Sequence, residues 1–143
     1  MEKNMTICVV EDDQTDFDHI IRAIGLISPQ LQVRRFLHGA ALLNYLSQAV
    51  PGAYPSLIIL DFYLPVFDGL KTLRRLKENE TVRQIPVLMW SGSSRSEDIS
   101  QAYRLGAGAF HTKPDLFEDW EDLMRVTLRY WLSTVQLPLS PGY

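Results

Sequence analysis

Short apolar runs alternate along the chain with segments in which apolar residues recur at helical spacing. The apolar runs predict five strands, at 7–10, 31–37, 57–60, 85–90 and 109–112. Helical spacing predicts a helix after each strand, at 15–27, 40–50, 69–79, 97–105 and 116–135. The run Leu57–Leu60 is the strongest strand signal, because it is uninterrupted, rich in β-branched residues and ends abruptly on Asp61.

This alternation is typical of five βα units and predicts an α/β fold. Right-handed crossovers place helices on both faces of a parallel sheet. We therefore predict a doubly wound parallel sheet of five strands, with ligands gathered at the carboxyl ends of the strands.

The length of 143 residues predicts one domain, 1–143, with a core at about 6–135 and a short tail at 136–143. Hydrophobic residues make up 46% of the chain and charged residues 22%, which is ordinary globular composition. The chain has no internal repeat at solenoid spacing.

Charge and cysteine content narrow the function classes. The formal net charge of −3 gives no broad positive field, so nucleic acid is not expected to bind directly. Cys8 is the only cysteine and lies within an apolar run. It cannot form an internal disulfide, which favours a reducing cytoplasm. The N-terminal residues do not resemble an export signal or a membrane span.

Polar groups stand at four of the predicted strand ends. They are Glu11-Asp12-Asp13, Asp61, Ser91-Gly92 and Lys113-Pro114. Each acid alone is adequately explained as a cap, but four strand ends that share one edge suggest a common site. Crowded carboxylates need a compensating cation, and hard oxygen ligands suit Mg²⁺.

From Thr6 to about Val135 the chain resembles the receiver domain of bacterial two-component response regulators. The matching motifs are Val9-Val10-Glu11-Asp12-Asp13, Leu60-Asp61-Phe62-Tyr63-Leu64-Pro65 with Asp68-Gly69, Met89-Trp90-Ser91-Gly92, and Gly106-Ala107-Gly108-Ala109-Phe110 before Lys113-Pro114. Their order and spacing also match, and the resemblance implies a flavodoxin-like α/β fold whose five strands lie in the order 2-1-3-4-5 with helices on both faces.

The resemblance implies that Asp61 is the phosphoacceptor. It further implies that Mg²⁺ is bound by Glu11, Asp12, Asp61 and the backbone carbonyl of Tyr63, with Asp13 next to these ligands. Ser91 would donate a hydrogen bond to the phosphoryl group, and Lys113 would form an ion pair with it. Phe110 would be the aromatic switch residue, and the Lys113–Pro114 peptide bond would be cis. Phosphoryl transfer relies on positioning and on cations, which agrees with these roles.

Phe110 departs from the usual family pattern, and a few other residues have roles that the motifs do not define. Phe110 keeps the aromatic ring where the family often has tyrosine but lacks the hydroxyl, and it could simply belong to the core. Tyr63 and Ser93 occupy positions that influence the phosphoryl lifetime, which the sequence does not predict. The three histidines, at 19, 38 and 111, lie in different units and receive no role.

The segment after the fifth helix is too short for an effector domain, so the expected output is protein binding. The last helix is rich in bulky groups, of which Leu123, Val126 and Leu128 are expected to pack on the sheet. Tyr130 and Trp131 are harder to bury. The ending resembles small regulators that work with phytochrome-type histidine kinases, and a homodimer through this region is predicted.

The resulting hypothesis is a single-domain response regulator in a phosphorelay, not a dedicated enzyme. Its partners would be a histidine kinase or histidine phosphotransferase and a downstream protein. Alternatives are a phosphorylation-independent receiver-like adaptor and an Mg²⁺-dependent hydrolase with an aspartate nucleophile, which would normally carry a second aspartate where this chain has Tyr63. A flavodoxin-like cofactor protein is disfavoured, because acids occupy the first strand end.

Overall fold

The computed structural model describes residues 5–64 and 68–138 of the chain. Five strands form one parallel sheet in the order β2-β1-β3-β4-β5, which confirms the predicted topology. The strands are β1 (Thr6–Val10), β2 (Gln32–Phe36), β3 (Leu57–Asp61), β4 (Val87–Ser91) and β5 (Ala109–Thr112). Pro65 of the quoted motifs and residues 139–143 of the predicted tail lie outside the described residues.

Helices cover both faces of the sheet. They are α1 (Gln14–Ile27), α2 (Gly39–Gln48), α3 (Gly69–Glu78), α4 (Ser96–Arg104) and α5 (Phe117–Arg129), followed by a π-helix (Tyr130–Thr134). Alternate residues of the buried strands point to opposite faces, so the core has two parts. One part packs against α2, α3 and α4, and the other packs against α1 and α5.

Three helices, α1, α2 and α4, begin one residue earlier than predicted, and side-chain caps account for the first two. The Asp13 carboxylate accepts the Asp16 N–H at 2.8 Å, so α1 begins at Gln14 rather than at Thr15. His38 Nδ1 accepts the Ala41 N–H at 3.2 Å and starts α2. Both contacts satisfy backbone donors that the first helical turn leaves without partners.

The last helix departs from the prediction in two ways. It changes at Tyr130 from α to π geometry, closed by a 2.9 Å bond from the Val135 N–H to the Tyr130 carbonyl. The expectation that Val126 packs on the sheet was wrong, since its side chain is 66% exposed. The buried stripe runs through Met124 and Leu128, four residues apart, and Val126 lies on the other side of the helix.

Candidate functional site

The Lys113 ammonium group lies among three carboxylates at the carboxyl edge of the sheet. Its Nζ is 2.7 Å from Glu11 Oε1, 2.8 Å from Asp16 Oδ2 and 3.2 Å from Asp61 Oδ2. These groups come from the ends of β1, β3 and β5 and from the first turn of α1. The structure thus brings together three of the strand-end residues that the sequence singled out, and adds a fourth group, Asp16.

The backbone fixes Lys113 at this position. Its N–H donates to the Ser91 carbonyl at 2.7 Å, which continues the pairing of β4 with β5 to the strand ends. The described backbone contains no cis peptide bond, so the predicted cis Lys113–Pro114 bond was wrong. The trans form is the one that an X–Pro bond intrinsically favours.

Asp61 is the last residue of β3 and is buried. Its Oδ1 accepts the Tyr63 N–H at 3.2 Å, and its Oδ2 faces Lys113. The start of α3 crosses closely over this strand end. A side chain at Gly69 would overlap the backbone of Asp61 and Phe62, so only glycine allows this approach.

Glu11, Asp12 and Asp61 form an acidic cluster in which one oxygen of each residue lies within 4.8 Å of the others. Glu11 and Asp61 are buried and Asp12 is exposed. Carboxylate oxygens in an arrangement open to water on one side fit Mg²⁺, which binds few protein oxygens and keeps several waters. Asp13 lies outside this cluster, and its N–H donates to Glu11 Oε2 at 3.3 Å.

The charges of the site are strongly coupled. Burial, and after it the neighbouring Asp61, raise the pKa of Glu11 to about 8 even though Lys113 opposes the shift. Burial also lowers the pKa of Lys113, but its hydrogen bonds to Asp16 and Glu11 and the charge of Asp61 raise the pKa above its ordinary value overall. Lys113 is therefore a cation at every physiological pH.

Ser91 and Phe110 lie near this edge in different environments. Ser91 is fully buried at the end of β4, and its Oγ accepts the Ser93 N–H at 3.0 Å. Phe110 on β5 is partly buried against the core on the α4 side, with its ring 5.9 Å from that of Phe62. Its N–H donates to the Tyr103 hydroxyl of α4 at 3.1 Å.

Sequence reasoning treated Asp16 only as part of a helix start. The signal that could have identified it is its distance of three residues from the Asp13 cap, which places it in the first turn of α1 beside the strand ends. His19 and His111 pack on the face of the sheet that α1 and α5 cover, next to Trp120 and Trp90 respectively.

Residues 7–124 match the family model of the response regulator receiver domain. The chain belongs to this family. The probable methanogenesis regulatory protein FilR2 of Methanothrix harundinacea is 30% identical over 139 residues, which cover 96% of this chain and 90% of that protein. Response regulator Rcp1 of Synechocystis sp. is 27% identical over 137 residues, covering 94% of this chain and 93% of its own.

Solved structures show the same relationship. The phosphorylated cyanobacterial phytochrome response regulator RcpA superposes with a TM-score of 0.89 at 29% identity, covering 95% of this chain and 99% of its own. The Mn²⁺-bound form of Rcp1 has a TM-score of 0.83 at 27% identity, and the match covers 94% of this chain and 99% of that of Rcp1. The chain is therefore a receiver related to phytochrome response regulators, a family of two-component signalling proteins that are generally not enzymes.

Receiver domains bind Mg²⁺ or Mn²⁺ at an acidic pocket, and this chain has an acidic cluster of Glu11, Asp12 and Asp61. No helix within residues 5–64 and 68–138 is long and apolar enough to cross a membrane.

Proposed function

We propose that Asp61 accepts a phosphoryl group from a histidine kinase or a histidine phosphotransferase in a two-component phosphorelay. The observation that carries the proposal is the 3.2 Å contact between Lys113 Nζ and Asp61 Oδ2 at a buried edge of the sheet. A fixed cation beside a nucleophilic carboxylate offsets the charge that an arriving phosphoryl group brings.

In the proposed step an Asp61 carboxylate oxygen attacks phosphorus. With a phosphohistidine donor, the P–N bond breaks and its electron pair remains on the imidazole nitrogen, which leaves an aspartyl phosphate on Asp61. The hydrogen bond from the Tyr63 N–H to Oδ1 holds the carboxylate in one orientation before the attack. Positioning of this kind supplies much of the catalysis in phosphoryl transfer.

Ser91 and Lys113 are proposed to bind the transferred phosphoryl oxygens. The Ser91 Oγ already accepts the Ser93 N–H, so its own hydroxyl hydrogen remains to donate to a phosphoryl oxygen. Lys113 contributes charge-assisted hydrogen bonds, which are roughly twice as strong as neutral ones.

Glu11, Asp12, Asp61 and the backbone carbonyl of Tyr63 are proposed to hold Mg²⁺. When bound, Mg²⁺ supplies positive charge that neutralises the transferring oxygens. The cluster of carboxylate oxygens supports the first three ligands, and the Tyr63 carbonyl is proposed from the resemblance to the family.

The proposed output is altered binding to a downstream protein, with Phe110 as the aromatic switch residue. New charge at Asp61 would draw in the ends of β4 and β5, which carry Ser91 and Lys113. Phe110 lies on β5 and contacts Phe62, next to Asp61, so movement at the site reaches its ring. Phosphorelay partners and the buried thiol of Cys8 both suit a cytoplasmic location.

The proposal is tested with Mg²⁺ and acetyl phosphate, followed by intact mass. Wild-type protein is expected to gain one phosphoryl group, and Asp61→Asn none. Asp18→Asn is the matched control, because Asp18 is an exposed α1 carboxylate whose described contact is with Gln14. Modification that persists in Asp61→Asn, or no modification of the wild type, would contradict the proposal and favour a phosphorylation-independent adaptor.

A homodimer through the C-terminal helix is also proposed. Val126 and Tyr130 are 66% and 48% exposed on neighbouring turns, which gives a second copy apolar surface to cover. Light scattering at tens of micromolar, with and without phosphorylation, tests this proposal. A monomeric mass in both states would contradict it, and Val126→Lys should lower the mass of a dimer that does form.

A further inference from the structure

Three carboxylates surround the Lys113 ammonium group, to which an incoming phosphoryl group would bind. An ammonium carries three N–H donors, and Glu11, Asp16 and Asp61 each lie within 3.2 Å of Lys113 Nζ. A phosphoryl oxygen that approaches this nitrogen therefore competes with the carboxylates already beside it.

The three carboxylates differ in the free energy needed to separate each of them from Lys113. The side chains of Glu11 and Asp61 are only 3% and 6% exposed, whereas that of Asp16 is 27% exposed. A buried carboxylate that loses its cation is left unsolvated, but an exposed one exchanges the contact for water. Asp16 is thus the partner that can leave most easily.

Asp16 is not needed to hold Lys113 near the phosphoacceptor. Glu11 binds the ammonium at 2.7 Å, and the Lys113 backbone is tied to Ser91. The contact with Asp16, at 2.8 Å, is shorter than the 3.2 Å contact with Asp61. The carboxylate on α1 therefore competes with the phosphoacceptor for the same cation, and it adds negative charge where a phosphoryl dianion arrives.

We propose that Asp16 restrains Lys113 in the unphosphorylated protein and is displaced from it when Asp61 is phosphorylated. This inference rests on the proposed function of Asp61. It assigns to α1 a direct control over how readily the site accepts phosphoryl groups. With acetyl phosphate as donor, Asp61 attacks phosphorus, the acyl P–O bond breaks, and acetate leaves with the electron pair.

The test compares Asp16→Asn with wild type in two measurements that share Mg²⁺ and buffer. One is the rate of modification by acetyl phosphate, read by intact mass. The other is the affinity for beryllofluoride, a noncovalent phosphoryl mimic, followed by tryptophan fluorescence. Trp90 provides a reporter, because it is buried and pairs in register with Asp61.

Asp16→Asn is expected to raise both the rate and the affinity by about threefold, because it removes a partly exposed carboxylate that competes for Lys113. Asp16→Glu keeps the charge and should stay within about twofold of wild type. Asp18→Asn removes the same charge from the same helix without a described contact to Lys113, and should also stay near wild type. Asp16→Ser provides a second neutral variant if Asp16→Asn folds poorly.

A rate or affinity of Asp16→Asn equal to that of Asp18→Asn would overturn the inference. The effect would then come from the net charge of α1 and not from the contact between Asp16 and Lys113. A slower or weaker Asp16→Asn would also overturn it, since Asp16 would then help to orient Lys113. In both cases Asp61-dependent modification of the wild type would leave the proposed function standing. Absence of that modification would overturn the proposed function and this inference together.

Discussion

The Tyr63 hydroxyl donates a hydrogen bond to Asp98 Oδ2 at 3.3 Å. The bond joins the segment just after β3 to the first turn of α4, and Tyr63 lies two residues beyond Asp61. Tyr63 is 53% exposed, so its ring is not part of the core. The bond therefore restrains an exposed side chain two residues from the proposed phosphorylation site.

Loss of this bond should shorten the lifetime of the aspartyl phosphate. Tyr63→Phe keeps the ring but frees it to move, so water should reach the phosphoryl group more often and hydrolysis should accelerate about twofold, as expected for a weak exposed hydrogen bond. Intact mass after removal of acetyl phosphate measures the decay. Asp98→Asn should have a similar effect, and the double variant should be no faster than either. Additive effects would show that the two side chains act separately.

Gly69→Ala should destabilise the protein by about 2 kcal/mol or more, because the new methyl group overlaps the backbone of Asp61 and Phe62. Urea unfolding measures the change. Gly25→Ala is the matched control, since Gly25 lies in α1 with no neighbouring atom within 4 Å of the added methyl group. It should stabilise the protein by about 0.5–1 kcal/mol. Equal losses in the two variants would contradict a specific approach of α3 to Asp61.

The strand topology and most of the charged site were predictable from sequence, because both follow from periodicity. Buried runs locate the strands, and parallel strands bring their carboxyl ends to one edge, which places Glu11, Asp61 and Lys113 together. Side-chain direction at a strand end is also largely fixed by the alternation of the pleat. A contact between β1 and β5, more than a hundred residues apart, could thus be inferred without coordinates.

Features that depend on how the helices pack against the sheet could not be predicted from periodicity. Asp16 reaches Lys113 only because the Asp13 cap starts α1 one residue earlier and sets its first turn. Val126 looked like a core position because its neighbours are apolar, but the rotation of α5 places Met124 and Leu128 inward instead. Helical spacing alone leaves such rotations undetermined when apolar residues cover more than one stripe.

Stability should decline in mild acid partly because of His111. Burial lowers the pKa of His111 below its ordinary value of 6.5, so below that pH the unfolded chain binds more protons than the folded protein. The free energy of unfolding should therefore fall as the pH drops from about 6.5 toward the lower pKa of the folded state. In His111→Gln this fall should be smaller. Urea unfolding from about pH 8 to about pH 5 gives the free energy of unfolding of the wild type and of His111→Gln as a function of pH. The values at about pH 8, where His111 is neutral in both states, serve as the baseline. Parallel curves would contradict a role for His111.

Mg²⁺ should stabilise the folded protein, and Asp12 should be required for the effect. The carboxylates of Glu11, Asp12 and Asp61 repel one another, and Lys113 offsets only part of this repulsion, so a bound divalent ion favours the folded state. At a concentration tenfold above Kd the gain is about 1.4 kcal/mol, measured as a rise in Tm between EDTA and Mg²⁺. Asp12→Asn should lose this rise while folding normally in EDTA, since Asp12 is exposed and the substitution removes repulsion. Asp18→Asn should retain the rise. A full response to Mg²⁺ in Asp12→Asn would exclude Asp12 as a ligand.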